Sequence, residues 1–272
     1  MFPAILLALR EGIEVALVIG IVLGSLKHLG QNNLRPALWY GAAVAALLSL
    51  IAALVLNWLG TEFEGKGEQI FEGSAMLFAA LLLSWMIFWM RRESVGVKTV
   101  IETEVHKAVG QQRGLEIFLI SFTAVMRDGI ELVLFLLAAR YASNSLQTIS
   151  GALIGLALAA VLGWGLFTST LKLNLKRFFW ITNILLILFA AGLIGRSIHE
   201  FNEASLIPAG VDMLWNFSTV LSEDSSLGLI LTALLGYSSS PSLSMVIGYI
   251  AYLAAMLSIF LLPRQFKKIT AA

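Results

Sequence analysis

Cysteine is absent from all 272 residues. That excludes disulfides, thiolate zinc or copper(I) sites, iron–sulfur clusters and cysteine nucleophiles, and leaves the redox compartment unspecified. Charge is scarce too: charged residues make up 13% of the chain and hydrophobic residues 58%, with 5 prolines and 23 glycines. Soluble domains carry roughly 25% charged residues. A water-soluble surface cannot be assembled from so few, and a mean hydropathy of +0.87 describes a chain dissolved in lipid. The net charge of +1, from 18 basic and 17 acidic residues, excludes a nucleic-acid-binding field. No phosphate loop, dinucleotide glycine fingerprint, G-x-S-x-G or H-E-x-x-H occurs. The N-terminal MFPAILLALREGIE lacks the basic start and the unbroken apolar stretch of a signal peptide, and reads as a retained helix.

A bilayer core of about 30 Å needs about 20 apolar residues per helix. Seven stretches qualify: 3–26, 36–59, 69–90, 115–139, 146–170, 178–198 and 244–262. The first and fourth carry internal charges that a strict hydropathy window rejects. With the N-terminus outside, thirteen basic residues fall on the cytoplasmic side: Lys27, Arg35, Arg91, Arg92, Lys98, Lys107, Arg113, Lys172, Lys176, Arg177, Arg264, Lys267 and Lys268. Only Lys66, Arg140 and Arg196 fall outside, so the positive-inside rule predicts N-out, C-in. Nine acids then face outward: Glu62, Glu64, Glu68, Glu72, Glu200, Glu203, Asp212, Glu223 and Asp224. Such a face collects cations, although the positive-inside rule alone also produces the asymmetry. Segment 204–243 holds only a short apolar run and is expected to lie at the outer interface or dip in against the bundle. Trp39, Tyr40, Trp58, Trp89 and Trp180 read as interface anchors.

Arg10-Glu11-Gly12-Ile13-Glu14 and Arg127-Asp128-Gly129-Ile130-Glu131 match at four of five positions, 117 residues apart, with three spans beginning in each unit. An odd number of spans makes the second unit enter from the opposite side. The expectation is therefore an all-α integral membrane protein: two inverted three-helix repeats, 1–110 and 111–203, then 204–243, then a seventh helix and tail at 244–272. In such proteins the substrate site lies near the midplane between the repeats. On a helix Glu11 and Glu14 project from one face about 60° apart, with Arg10 reaching Glu14 at i, i+4. A charge at bilayer centre costs at least about 2.5–3.5 kcal/mol, so six of them must face one another or a wet cavity. Glu11, Glu14, Asp128 and Glu131 make an all-oxygen set suited to hard cations, with Arg10 and Arg127 as supporting charges.

Two other readings of these pentapeptides stay open, a buried ion-pair network that glues two helices and a proton relay. Gly12 also belongs to a stripe with Ala8, Ala16, Gly20 and Gly24 that is structural on its own terms. At the outer end of the sixth span, Arg196, His199, Glu200 and Glu203 share one face, opposite Glu68 and Glu72 on the third. These could form an outer metal-collecting site, although a lone histidine near a helix end is more often a solvated or capping residue. The eight methionines read as packing and the serines around 238–242 as a turn.

The doubled pentapeptide in helices one and four, with the acidic outer segment and the His199-Glu200…Glu203 helix end, resembles the iron permease family of fungal high-affinity iron permeases and the bacterial EfeU type. The length looks like the bacterial inner-membrane members. The resemblance implies a multi-pass iron permease with no resident cofactor, in which iron is the substrate carried by Glu11, Glu14 and their repeat counterparts. It implies periplasmic partners as well, an oxidase or peroxidase and an iron-binding protein. Asp128 departs from the family's doubled glutamate, and the shorter arm shifts the site by about one bond. Fe²⁺ and Fe³⁺ are left open. The rivals are a proton-coupled Mn²⁺ or Zn²⁺ transporter and an intramembrane carboxylate enzyme. The enzyme is disfavoured because dimetal carboxylate sites usually draw on Glu-x-x-His pairs, and neither pentapeptide has a histidine.

Overall fold

The computed structural model describes residues 1–60, 65–93, 103–105, 114–141, 145–167, 174–222 and 225–261. Every regular element among them is helical: α1 (Phe2–His28), α2 (Arg35–Gly60), α3 (Lys66–Glu93), α4 (Gly114–Tyr141), α5 (Ser145–Phe167), α6 (Leu175–Glu203), α7 (Ser226–Leu235) and α8 (Leu243–Leu261). The expected loop charges Glu62, Glu64, Lys98, Lys107, Arg113, Lys172, Glu223, Asp224, Arg264, Lys267 and Lys268 lie outside the described residues. So does the end of the fifth expected span, 168–170.

Four helices, α2, α3, α5 and α6, are long and apolar enough to cross a membrane, and α8 is a shorter apolar helix. With 27 and 28 residues, α1 and α4 reach about 40 Å, but their central charges break the hydropathy window as expected. Large apolar side chains point outward along these helices, among them Leu47, Leu54, Trp85, Leu153, Val161 and Trp164. A soluble monomer keeps such patches to a few hundred Å². Here they form the lipid-facing coat of a membrane protein.

Small residues set the spacing of the bundle. Ala4, Ala8, Gly12 and Ala16 of α1 lie against Gly151, Gly155, Ala159 and Gly163 of α5, one contact per turn, with both helices running the same way. A Cβ on Gly155 would stand 2.5 Å from the Ile5 carbonyl oxygen and 2.8 Å from the Ala8 Cβ. The second close pair is α2 with α4, where Gly41 meets Ser121 and Ser49 meets Gly129. There the Ser121 hydroxyl donates to the Leu38 carbonyl at 2.7 Å. The third is α3 with α6, packed antiparallel: Gln69 donates to Glu203 at 3.0 Å and Ser197 to the Gly73 carbonyl at 2.7 Å. Lipid supplies no hydrophobic drive between helices, so association rests on close approach and on such hydrogen bonds. The largest apolar core joins Leu6 and Leu7 of α1, Met76 to Ile87 of α3, Phe135 of α4 and Leu186 to Leu193 of α6.

After α6 the chain leaves regular structure, then forms the ten-residue α7. The Ser225 hydroxyl caps its start by accepting from the Gly228 amide at 3.0 Å. Gly236 ends it at φ +66°, a left-handed conformation that suits glycine. The same Gly236 lies backbone to backbone against Gly192, eleven residues before the end of α6. The short helix thus ends well inside the bundle.

A methyl group placed in the α1–α5 seam tests this packing. Gly155→Ala is expected to destabilise by about 1–3 kcal/mol, the usual cost of overpacking. Gly24→Ala, where nothing lies within 4 Å, should be neutral or stabilising by up to about 1 kcal/mol. Thermal unfolding of the detergent-solubilised protein should place Gly155→Ala below wild type and Gly24→Ala at or above it.

Candidate metal site

The first pentapeptide occupies one turn near the middle of α1. Arg10 and Glu11 are buried, at 0% and 1% exposure, and Glu14 is partly buried. Arg10 Nη1 lies 2.7 Å from Glu11 Oε1 and Nη2 lies 3.2 Å from Glu14 Oε1, so one guanidinium serves two carboxylates. Arginine keeps its charge at any working pH and presents a rigid fork, which suits it to this bridging role. The sulfur of Met86 on α3 also accepts from Nη1 and ties the group to a third helix. On α4 the second pentapeptide is looser. Arg127 Nε reaches Glu131 Oε1 at 3.1 Å with its side chain 49% exposed, and its guanidinium lies 4.2 Å over the Trp89 ring.

Three of the four expected donors converge. Glu11, Glu14 and Asp128 each offer an oxygen within 4.8 Å of the other two, the one such cluster of acids and histidines among the described residues. Some point therefore lies within about 2.8 Å of all three, close to the 2.0–2.6 Å of cation–oxygen bonds. Glu11 Oε2 and Glu14 Oε1 accept no hydrogen bond and are shut away from solvent, and Glu14 Oε1 is the oxygen paired with Arg10 at 3.2 Å. Buried oxygens normally find partners, so Glu11 Oε2 is available to a cation. With all three acids ionised, Arg10 leaves two negative charges uncompensated. Glu131 does not join the cluster: it pairs with Arg127, within electrostatic reach of Glu14 and Asp128. The motif glycines explain how the turns come together. A Cβ on Gly12 would stand 2.5 Å from the Ala159 Cβ, and one on Gly129 would stand 2.9 Å from the Ser49 Cβ.

The outer set is placed at one end of the α3–α6 pair. Glu68 and Glu72 open α3, and His199, Glu200 and Glu203 close α6. Glu72 feels the charges of Glu200, Glu68 and Arg140, and His199 Nε2 lies 3.3 Å from Glu203 Oε1. These residues face one another across the seam without gathering three ligand atoms at one point.

The whole length of the chain carries the same assignment: residues 1–270 match the iron permease FTR1 family. The chain belongs to this iron permease family. It is 36% identical over 97% of its length to the ferrous iron permease EfeU of Escherichia coli O6:K15:H31, covering 96% of that protein. The same identity and share relate it to the Shigella sonnei protein of that name, with 96% of it covered, and to the Yersinia pestis one, with 94% covered. No solved structure matches. The family is one of transporters and not of enzymes.

Three contributors escaped sequence reasoning. Met86 looked like packing and touches Arg10, and Ser49 meets Gly129. Trp89, read as an interface anchor, supports the Arg127 guanidinium. Their helices, α2 and α3, give no periodic signal for such contacts, because each depends on which neighbour the turn faces.

The two arginines should differ in consequence. Arg10→Leu strands two buried carboxylates and is expected to cost about 3–5 kcal/mol, whereas Arg127→Leu frees a half-exposed pair and should cost clearly less. Paired thermal melts of the two purified variants check the order.

Proposed function

We propose that this chain imports iron across a bacterial inner membrane, passing the ion through Glu11, Glu14 and Asp128 between α1 and α4. The observation that carries this is the convergence of three carboxylates, with Glu11 Oε2 buried and accepting no hydrogen bond, from the doubled pentapeptide of an iron permease family. Glu131 is the fourth oxygen donor, one turn further along α4. The relatives are named ferrous iron permeases, which favours Fe²⁺ as the ion. Glu68, Glu72, His199, Glu200 and Glu203 gather the ion at the outer mouth, where the acids concentrate it electrostatically. Periplasmic oxidase or peroxidase and iron-binding partners deliver it.

The frame for this path is seven spans, N-out and C-in, built from inverted repeats 1–110 and 111–203. The helix pairing supports it. Exchanging α1 with α4, α2 with α5 and α3 with α6 turns the α1–α5 pair into the α4–α2 pair and maps α3–α6 onto itself. The registers agree as well: Gly12 opposite Ala159 becomes Gly129 opposite Ser49, and Ala8 opposite Gly155 becomes Val125 level with Ala45. Segment 204–243 lies on the outer side with α7 dipping inward, and 244–272 supplies the last span and tail.

Radioactive iron uptake into proteoliposomes tests the site. Glu14→Gln and Asp128→Asn are expected to reduce Fe²⁺ uptake to background while eluting as folded protein; wild-type rates in both would overturn the midplane path. Excess Mn²⁺ or Zn²⁺ should compete poorly, and full competition would favour a broader divalent-metal transporter. At the outer mouth, Glu72→Ala and His199→Ala should raise the apparent KM more than they lower the maximal rate. A pure rate loss would remove these residues from ion collection.

A further inference from the structure

Among the described residues, three buried side-chain oxygens accept no hydrogen bond. Two, Glu11 Oε2 and Glu14 Oε1, belong to the midplane site. The third is Asn183 Oδ1 on α6, far from the outer acids. An unpartnered buried carbonyl on a partly buried side chain is uncommon, and either a water or a passing cation would satisfy it.

Its position in the repeat is informative. Leu77-Phe78-Ala79-Ala80 of α3 recurs 111 residues later as Leu188-Phe189-Ala190-Ala191 of α6, and both Ala-Ala pairs are buried. That offset carries Glu72 onto Asn183, Glu68 onto Phe179 and Trp89 onto Glu200. Glu68, Glu72 and Glu200 at the mouth of α3 and α6 thus have neutral counterparts at the other end of the pair, and Glu203 has the basic Arg92. The antiparallel register sets Gln69 beside Glu203 and Gly73 beside Ser197. Carried along the pair, it levels Asn183 with Trp89, the ring that bears Arg127. Asn183 therefore lies beyond the carboxylates, on the side opposite Glu72.

We propose that Asn183 is the last side-chain ligand of the imported ion, offering a neutral amide oxygen where its repeat counterpart Glu72 offers a carboxylate. This rests on the permease reading above. A path conducts only if each site binds strongly enough to receive the ion and weakly enough to release it. A charged ligand beyond the midplane would compete with release, whereas an amide oxygen coordinates without holding. The unequal charge of the two mouths then favours inward movement through the midplane site.

The test is initial-rate Fe²⁺ uptake in proteoliposomes by wild type, Asn183→Leu, Asn183→Asp and Asn183→Gln, with Glu14→Gln as blank. Asn183→Leu is expected to lower the maximal rate about tenfold with KM within about twofold, the pattern of a ligand used after binding. Asn183→Asp, nearly isosteric, should lower both the maximal rate and the apparent KM by slowing release, and Asn183→Gln should recover most of the rate. Should Asn183→Leu fail to fold, the aspartate variant carries the test. Wild-type rate and KM in the leucine or aspartate variant would overturn the role of Asn183 alone. Absence of iron uptake by folded wild type would overturn the permease reading and this one with it.

Discussion

Everything in this bundle is arranged around a buried arginine held between two glutamates of its own helix. A guanidinium is a permanent charge, and lipid offers no water to share it. Glu11 and Glu14 answer it from the same turn, but two acids against one base leave a surplus that must face something. In the structure it faces Asp128 of α4, and the cost of that arrangement is bearable only when a cation shares the centre or protons do. Both alternatives kept open by the sequence, ion-pair glue and a proton relay, use the same groups. Glue is the weaker account, because a purely structural network has no reason to leave the buried Glu11 Oε2 without a hydrogen bond.

Bringing α1 and α4 together is the work of small residues on the faces turned away from the charges. Gly12 lets α1 lie on α5, and Gly129 lets α4 lie on α2, each glycine standing inside the charged pentapeptide. The pentapeptide thus sets acids on one face and, at adjacent positions, a missing side chain on the other for the neighbouring helix. In lipid, where apolar surface gains nothing by being hidden from other apolar surface, such close backbone contact is the main source of helix affinity. A substitution at either glycine would displace the acids indirectly.

The two copies of the motif are not used alike. The α1 copy is sealed, with its arginine fixed by Met86; the α4 copy keeps Arg127 half exposed over Trp89 and gives Glu131 to it. The shorter Asp128 still reaches the cluster while its glutamate counterpart reaches from α1, so the centre is built from two long arms and one short one. An exchangeable ion is better served by such inequality than by a closed cage, since one side of the site holds its geometry while the other can rearrange. The outer acids add to this. Spread across the α3–α6 seam without closing on a point, they would, in the proposed path, raise the local cation concentration without trapping the ion.

Composition, hydropathy and the doubled pentapeptide were enough to read an all-helical membrane protein, to place helix limits mostly within about three residues, and to nominate the charged residues. The reason is that lipid permits few architectures and makes every internal charge conspicuous. Helix period alone also put Glu11 and Glu14 on one face. Sequence could not say which three of four carboxylates meet, that Glu131 would turn to Arg127, or that Met86 and Trp89 would support the arginines. Those outcomes depend on the rotation and depth at which α3 and α4 pack against α1, and both are decided by the fit of small residues on α2 and α5, far along the chain. The ligand types were written in the local sequence; their meeting point was decided by contacts between helices.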